Sequence, residues 1–326
     1  MQKVLVTGGS GFIGKEIVKQ LLYQGFAVNV LDSSKLDLEG VTLFRGSVLE
    51  PELISKAMAG CEYVIHLAAI LGVSKSAYEP VECLDVNILG TRNVLKCAVI
   101  HQVKKVLFPS SSEVYGEPLK IPITEDSQLQ PKSEYGVSKS VGEEYLKAYK
   151  KQHGLNYTIV RFFNVYGEEQ RHSWVMAKFI NDAVLGNSLK VFGDGNQVRA
   201  FCHVQDAARG TIMALLHPAA NNQVFNIGND TEPITMKELA GKILQESGRK
   251  DVPVLIPLEN SDRTKAREIF IRIPSIEKAK TMLQFEPSIN LTAGIKSLLD
   301  HKKLHLAQTK WEVEEAEKYE QMVHKA

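Results

Sequence analysis

Residues 4–14 read Val-Leu-Val-Thr-Gly-Gly-Ser-Gly-Phe-Ile-Gly, and they set the expectation for the fold. The apolar run at 4–6 predicts a buried strand, and apolar residues at helical spacing over 12–22 predict a helix. Between the two lie three glycines with Gly-x-x-Gly-x-x-Gly spacing, Gly8, Gly11 and Gly14. Such a loop turns sharply, lets backbone N–H groups approach a pyrophosphate and points a helix N-terminus at the negative charge.

The end of the next predicted strand carries an acidic residue. Gly25 ends the first helix, residues 27–31 predict a second strand, and Asp32 follows directly. A carboxylate in this position binds the ribose 2′-hydroxyl of NAD and repels the 2′-phosphate of NADP. A glycine pattern alone is weak evidence, but here strand, glycine loop, helix and acid occur together. The sequence therefore predicts NAD as the cofactor.

Strand-like and helix-like segments alternate through the first half of the chain. Strands are expected at 41–44, 63–69, 105–111 and 157–163, and helices at 51–59, 80–101 and 135–153. This alternation predicts an α/β fold, a Rossmann-type doubly wound parallel sheet with helices on both faces. Ligands of such sheets bind beyond the carboxyl ends of the strands. The glycine loop, His66-Leu-Ala-Ala69, residues 110–113 and Asn164 are therefore expected to meet in one crevice.

The second half suggests a smaller domain. We predict an NAD-binding domain over residues 1–167, to which 200–230 return, and a C-terminal α/β domain over 168–300 that mainly binds substrate. Residues 301–326 form a charged tail whose stretch 311–322, WEVEEAEKYEQM, predicts a helix. A solvated helix on the surface is the simpler interpretation, and a dimer or partner contact is the alternative.

Composition narrows the partners and the compartment. Lys plus Arg number 39 against 38 for Asp plus Glu, so neither a nucleic acid nor a membrane surface is expected as a partner. The four cysteines include no Cys-x-x-Cys pair, which argues against a metal site and suits a reducing cytosol. No apolar run approaches the roughly 18 residues of a membrane span, and Met1 precedes a core strand so closely that no signal peptide is expected. We expect a cytoplasmic protein.

The segment Tyr135-Gly-Val-Ser-Lys139 opens a predicted helix and carries chemistry. Side chains at i and i+4 share one helix face. An ammonium beside a phenol favours the phenolate, so we expect Lys139 to lower the pKa of Tyr135 from about 10 towards working pH. Such a tyrosine can take a proton from a sugar hydroxyl while hydride leaves the same carbon for NAD. By its spacing alone the pair could also be an ordinary surface contact.

With these residues in place, the chain resembles the NAD-dependent epimerase/dehydratase family, extended short-chain dehydrogenases/reductases that modify nucleotide-diphosphate sugars. The resemblance runs from residue 4 to about residue 300 and rests on eight segments: TGGSGFIG (7–14), HLAA (66–69), DVNILGT (85–91), SSSEVYG (110–116), YGVSK (135–139), RFFNVYG (161–167), GDGNQVRAF (193–201) and NIGN (226–229). Together they are specific for the family and much less specific for the reaction.

The resemblance implies roles for individual residues. Tyr135 is the expected catalytic base, Lys139 binds the nicotinamide ribose, and Ser111 hydrogen-bonds the sugar 4-oxygen, with Ser112 and Glu113 beside it. The substrate is expected to contact Ser111, Asn164, Arg199 and Arg272, with Arg199 holding the diphosphate, a task that suits a permanently charged fork of donors. The implied cofactor site comprises Gly8, Gly11, Phe12, Ile13, Gly14, Asp32, Ser47, Val48, Leu67, Ala68, Ala69, Asn87, Tyr135, Lys139 and Phe163.

Ser47 departs from the family, which often has an Asp in this position against adenine. Its hydroxyl could still accept one hydrogen bond, so the departure bears on the affinity for NAD more than on the identity of the cofactor. Relatives are usually dimers, and the resemblance implies a homodimer formed through the helices at 86–101 and 135–153.

The reaction depends on what else surrounds the sugar. All members begin by oxidising C4; a 4-epimerase needs only the tyrosine, the serine and a sugar that can rotate. A 4,6-dehydratase needs a further acid/base pair, and a glucuronate decarboxylase needs to recognise a carboxylate, for which an arginine is suited.

Two segments resemble decarboxylases or dehydratases and two resemble epimerases. Ser111-Ser112-Glu113 is similar to the Thr-Ser-Glu of UDP-glucuronate decarboxylases and GDP-mannose dehydratases, and Arg272-Ile-Pro274 to the decarboxylase Arg-x-Pro. The loop GVSKSAYEP at 72–80 and the triple serine resemble epimerases. The alternative for Glu113 is a carboxylate that only orients a loop, and the alternative for Arg272 is a structural ion pair. Each is as well supported as a role in the reaction. We favour a UDP-sugar 4-epimerase, with UDP-glucuronate decarboxylase or 4,6-dehydratase as alternatives and a non-catalytic NAD-binding regulator as a remote one.

Overall fold

A computed structural model describes residues 1–71, 79–171, 174–257 and 269–323, with side chains up to residue 307. Its strands in chain order are β1 (Lys3–Thr7), β2 (Ala27–Asp32), β3 (Val41–Arg45), β4 (Tyr63–His66), β5 (Lys105–Ser111), β6 (Tyr157–Phe162), β7 (Val165–Tyr166), β8 (Lys190–Phe192), β9 (Val198–Ala200), β10 (Cys202–His203), β11 (Gln223–Ile227), β12 (Pro233–Thr235), β13 (Val254–Ile256) and β14 (Ile271–Arg272). Its α-helices are α1 (Phe12–Tyr23), α2 (Pro51–Met58), α3 (Pro80–Leu84), α4 (Gly90–Ile100), α5 (Glu134–His153), α6 (Val175–Val184), α7 (Val204–Leu216), α8 (Met236–Glu246), α9 (Glu277–Leu283) and α10 (Leu291–Val323).

Seven strands form one parallel sheet in the order β11-β6-β5-β4-β1-β2-β3. The strand order reverses between β1 and β4, which creates the crevice where ligands of doubly wound sheets bind. The predicted Rossmann-type fold is confirmed. Residues 223–227, from the second half of the chain, lie at one edge of this sheet beside β6.

The two faces of the sheet explain why residues 4–6 of β1 are all apolar. Val4 and Val6 lie in one buried cluster with residues of α1 and α7, whereas Leu5 lies in another with residues of α2, α4 and α5. Successive side chains of a strand point to opposite faces, so a strand covered on both faces has no polar side. A third apolar cluster, built around Phe179 and Leu239, supports the small sheets of the second half.

Two elements differ from the sequence prediction. The strand expected over 63–69 ends at His66, because the backbone beyond Leu67 bonds to side chains instead of to a neighbouring strand: the Ala68 N–H donates to the Thr7 hydroxyl, and the Asn87 amide binds both backbone groups of Ile70. The helix expected over 80–101 contains a π-helical turn at Asp85–Leu89, between α3 and α4, and this turn carries Asn87.

The C-terminal helix α10 begins in the core and continues beyond it. Leu291, Ile295 and Leu299 are buried against the third apolar cluster. The helix reaches Val323, but the side chains of 311–322 lie outside those described, so the role of the tail stays a prediction. Across the described ranges, no helix has both the length and the apolar character that a membrane crossing requires.

Candidate active site

The glycine loop between β1 and α1 leaves no room for side chains. Gly8 has a φ of +73°, and a Cβ there would lie 2.6 Å from the backbone nitrogen of Ala68. A Cβ on Gly14 would lie 2.2 Å from the carbonyl oxygen of Gly8. Gly11 caps α1, so the N–H groups of the first helical turn face the loop. This cradle fits the pyrophosphate of a dinucleotide.

Asp32 ends β2 at the edge of the same cradle. Its Oδ2 accepts a hydrogen bond from the Ser10 N–H at 2.9 Å, and its Oδ1 accepts one from the Ser34 N–H at 2.9 Å. Each carboxylate oxygen can accept a further hydrogen bond, so Asp32 can also bind ribose hydroxyls. Ser47, at the far side, accepts a hydrogen bond from the Leu49 N–H through its hydroxyl oxygen.

A cleft of about 1320 Å³ runs from the glycine loop to the small sheets of the second half. This exceeds the roughly 300–1,000 Å³ of common ligand pockets, which suits a dinucleotide and a second ligand together. The cleft brings together most of the predicted site residues: Gly8, Gly11, Phe12, Ile13, Gly14, Asp32, Ser47, Val48, Leu67, Ala68, Ala69, Ser111, Ser112, Glu113, Tyr135, Lys139, Asn164, Arg199 and Arg272.

The structure does not bring the side chains of Asn87 and Phe163 to the cleft wall. Asn87 is 3% exposed; its amide binds both backbone groups of Ile70 and donates to the Ser138 hydroxyl at 2.9 Å. It therefore ties the segment after β4 to α5. Phe163 is fully buried and packs against the ring of Tyr115. The Asn87 amide and the Phe163 ring contact these protein neighbours. A contact between the cofactor and the backbone of either residue stays a prediction.

The predicted Tyr–Lys pair lies at the start of α5, which Ser133 caps by accepting a hydrogen bond from the Gly136 N–H. Lys139 Nζ donates to the Pro109 carbonyl at 2.8 Å and lies 5.8 Å from the centre of the Tyr135 ring. Burial lowers the pKa of Lys139 to about 8. Its ammonium thus faces a strand carbonyl.

The pKa of Tyr135 shifts in the direction opposite to our expectation. Burial and then the negative charge of Glu113 raise this pKa, and a hydrogen bond with Ser111 only partly opposes them. The prediction that Lys139 lowers the phenol pKa is wrong for these side-chain positions, because the ammonium is directed at Pro109 and desolvation dominates.

The end of β5 and the 3₁₀ turn at Ser112–Tyr115 carry the next group. Ser111 Oγ accepts a hydrogen bond from the Glu113 N–H at 3.2 Å, and Ser112 is buried. Glu113 Oε1 forms an ion pair with Arg272 Nη2 at 2.6 Å, with both side chains largely buried. The structure therefore joins the two residues whose roles distinguished the candidate reactions.

Arg272 and Arg199 are register partners on β14 and β9. Arg199 Nη1 donates to the carbonyls of Val198 and Phe270, and Asn164, with a φ of +39°, donates from its amide to the Ala200 carbonyl. These three side chains line the same cleft as the glycine loop. The epimerase-like loop at 72–80 lies outside the described residues for 72–78.

The sequence prediction missed one ion pair at the cleft. Lys15, directly after the glycine loop, forms a 2.7 Å ion pair with Glu169 at the cleft, and nothing in the sequence marks this pair. His66 was expected in the crevice with residues 67–69, but its side chain is buried between Thr7 and Thr91, outside the cleft lining. Burial, and then the charge of Lys139, lower its pKa to about 3, so the ring is neutral. Glu143, a buried residue that the sequence prediction also missed, could have been found from the sequence.

Glu143 stands four residues after Lys139, on the same helix face, and is fully buried. A carboxylate at a core-facing helix position predicts a buried ionic partner. That partner is Arg161 of β6, at 2.6 Å.

Comparison with known proteins supplies the last observation. The model of the "NAD dependent epimerase/dehydratase family" matches residues 4–228. The chain is 36% identical over 310 residues to a putative UDP-glucose 4-epimerase of Methanocaldococcus jannaschii, covering 92% of this chain and 98% of that protein. It is 33% identical over 315 residues to a UDP-N-acetyl-alpha-D-glucosaminuronate decarboxylase of Bacillus cytotoxicus, covering 91% and 97%. The crystal structure of a Thermotoga maritima UDP-glucose 4-epimerase with UDP-glucose superimposes with a TM-score of 0.87 at 32% identity, covering 94% of this chain and all of that one.

Proposed function

Because the chain belongs to the NAD-dependent epimerase/dehydratase family, we propose that it is a UDP-sugar 4-epimerase that uses Tyr135, Lys139 and Ser111. NAD is its cofactor, and when bound it supplies the two-electron oxidant for the sugar C4 and returns the electrons later. The observation that carries the proposal is the ion pair between Glu113 and Arg272 at 2.6 Å. A carboxylate held in this pair is a poor acid/base for dehydration.

Tyr135 and Ser111 then handle the proton of the C4 hydroxyl. Tyr135 takes this proton as C4 is oxidised, and it gives the proton back after the ketone has presented its other face. Ser111, which hydrogen-bonds the phenol, orients the oxygen between them. Lys139, whose ammonium donates to the Pro109 carbonyl, would bind the nicotinamide ribose of NAD.

The far side of the cleft provides the substrate contacts of the proposal. Arg199 and Asn164 would bind the diphosphate, since an arginine fork matches phosphate geometry. The proposal that the nucleotide is UDP rests on the relatives, among which the Thermotoga maritima structure contains UDP-glucose. The division into a cofactor-binding part up to residue 167 and a substrate-binding part after it belongs to this proposal.

We also propose a homodimer formed through α4 and α5. Ile100 and Val137, one on each helix, expose 73% and 41% of their surface. Pairing of these helices with those of a second copy would cover both side chains.

A UDP-glucuronate decarboxylase is the second candidate, and one observation favours it. Arg272 Nε is buried and has no hydrogen-bond partner among the residues that the structure describes. A sugar carboxylate could accept from this N–H while competing with Glu113 for the guanidinium. The Bacillus cytotoxicus relative is a decarboxylase by name.

Product analysis separates the candidates. The protein is incubated with UDP-glucose, UDP-N-acetylglucosamine and UDP-glucuronate, and the products are resolved by chromatography. A C4 epimer is the expected product; release of CO2 from UDP-glucuronate identifies the decarboxylase, and an accumulating 4-keto sugar identifies a dehydratase. Either of the last two results overturns the epimerase proposal.

Tyr135→Phe tests the base. We expect turnover to be lost while NAD stays bound, since the phenol oxygen is the proposed proton acceptor. Tyr149→Phe is the matched control, on the same helix but outside the cleft lining, and it should retain turnover. A near-normal rate in Tyr135→Phe would show that another group is the base.

A further inference from the structure

A carboxylate that no reaction step uses lies directly behind the proposed catalytic residues. Glu143 is on α5, one turn beyond Lys139 and on the same face, and its side chain is 0% exposed. Its Oε1 accepts a hydrogen bond from the Ser110 hydroxyl at 2.6 Å. Ser110 is the residue before Ser111 at the end of β5. One carboxylate thus connects the helix with the end of the strand.

A buried arginine holds this carboxylate from the opposite side. Arg161 of β6 donates from Nε to Glu143 Oε1 at 2.9 Å and from Nη2 to Oε2 at 2.6 Å, and its side chain is 4% exposed. Arg161 is the register partner of Ser110 in the sheet. A two-point, charge-assisted contact of this kind fixes orientation as well as distance.

The contacts continue from Arg161 towards the ion pair that faces the sugar. Arg161 Nη1 donates to the Tyr115 hydroxyl at 2.8 Å, and Tyr115 donates to Asn226 Oδ1 at 2.7 Å. The Asn226 amide donates to the carbonyls of Ile123 and Ser275, at 3.0 and 3.2 Å. The network therefore links α5 and β5 with the turn that carries Glu113 and with the segment that follows β14.

Stability alone is a weak reason for such an arrangement, because well-packed apolar residues can often replace a buried ion pair without loss. A fully satisfied buried network does rigidify what it connects. We propose that Glu143 is a positioning residue that fixes the spacing between Tyr135 on α5 and Ser111 at the end of β5. The inference rests on the proposed roles of Tyr135 and Ser111 in the reaction.

The test uses Glu143→Gln, which keeps the volume and removes the charge. We expect the single-turnover reduction of bound NAD by UDP-glucose, followed by NADH absorbance, to slow by on the order of 10- to 100-fold, since small misplacements of catalytic groups have effects of this size. KM and NAD content should stay near wild type. Ser110→Ala keeps the ion pair but removes one contact, so it should show the same effect in milder form.

A pH profile gives a readout that a purely structural role would not change. The charge of Glu143 raises the pKa of Lys139 against the larger effect of burial, so Glu143→Gln should move the alkaline loss of activity to lower pH. The other titratable groups around Lys139, namely Cys83, His66 and Tyr135, are unaltered in this variant.

Asp206→Asn is the matched control, because Asp206 is also a buried carboxylate, hydrogen-bonded to the backbone of Ser288 and Ile289 on the opposite face of the sheet. It should lower the melting temperature without changing the rate of NAD reduction. The inference is overturned if Glu143→Gln keeps the wild-type rate and pH profile and loses only stability, as the control does. If Glu143→Gln does not fold, Ser110→Ala decides by the rate of NAD reduction alone, since it leaves the charge of Glu143 in place, and an unchanged rate overturns the inference.

The proposed function fails separately, if the wild type reduces NAD with none of the nucleotide sugars. In that case, crystal structures of the wild type and of Glu143→Gln test the inference instead of the rate. The distance between Tyr135 Oη and Ser111 Oγ should differ between the two, and an unchanged distance would overturn the inference.

Discussion

Replacing Lys139 by Met should stabilise the folded protein near pH 7 while it impairs the reaction. Lys139 is 4% exposed, and burial lowers its pKa from the ordinary 10.5 to about 8. This lowering of the pKa means that folding with the ammonium protonated costs about 3 kcal/mol of stability. Met removes this penalty but also the hydrogen bond to the Pro109 carbonyl, worth about 1 kcal/mol. The expected net gain is about 2 kcal/mol.

The gain in stability from Lys139→Met should decrease as the pH rises. Below the folded-state pKa of about 8, Lys139 is protonated in both the folded and the unfolded chain, so the full penalty applies to the wild type. Between about 8 and 10.5 the unfolded chain still binds the proton and the folded chain does not, so wild-type stability rises with pH. The advantage of Lys139→Met therefore shrinks over this window and disappears above it.

Urea denaturation at about pH 7 and about pH 10, with bound NAD first removed from both proteins, measures the difference. Lys96→Met, at an exposed position of α4, is the control and should change stability by less than about 0.5 kcal/mol. A Lys139→Met protein less stable than wild type near pH 7, or equally stabilised at both pH values, refutes the reasoning.

Two further changes test the cofactor side of the cleft. Gly14→Ala places a Cβ 2.2 Å from the Gly8 carbonyl oxygen, so the purified protein should lose NAD and melt at a lower temperature. The control is Gly241→Ala, at a helical glycine with open space around it, which should keep NAD and gain up to about 1 kcal/mol in the free energy of unfolding. Retention of NAD by Gly14→Ala would contradict the role of the glycine loop as a pyrophosphate cradle. Lys15→Gln removes a half-exposed ion pair worth at most about 1 kcal/mol, so NAD release in stopped flow should quicken by up to about fivefold and lose its salt dependence. An unchanged rate and salt dependence would show that the Lys15–Glu169 ion pair does not slow the release of NAD.

The sequence predicted what is determined locally. β1, the glycine loop, α1 and Asp32 follow from the spacing of apolar residues and glycines within one stretch of chain. The parallel sheet follows from the alternation of strands and helices along the chain. These rules also predicted that residues from distant segments, such as Ser111 and Asn164, would line one crevice.

Contacts between distant side chains could not be predicted in this way. The spacing of Tyr135 and Lys139 predicts a shared helix face, but it does not reveal that the Pro109 carbonyl attracts the ammonium. Nor does it reveal that burial controls the phenol pKa. Likewise, the pairing of Glu113 with Arg272 depends on how β14 lies beside β9, which no local pattern encodes.

We infer that the ion pair between Glu113 and Arg272 bears most on the choice of reaction. In the proposed mechanism Tyr135, Lys139 and Ser111 serve oxidation at C4, which every candidate reaction shares, so they cannot distinguish an epimerase from a decarboxylase. The pair is closed at 2.6 Å, and an uncharged C6 group gives Arg272 no reason to leave Glu113. A C6 carboxylate, in contrast, competes for the same guanidinium and finds its buried Nε without a partner among the described residues. A closed pair therefore favours a neutral hexose, and only a charged sugar can convert Glu113 from a structural partner into a free carboxylate.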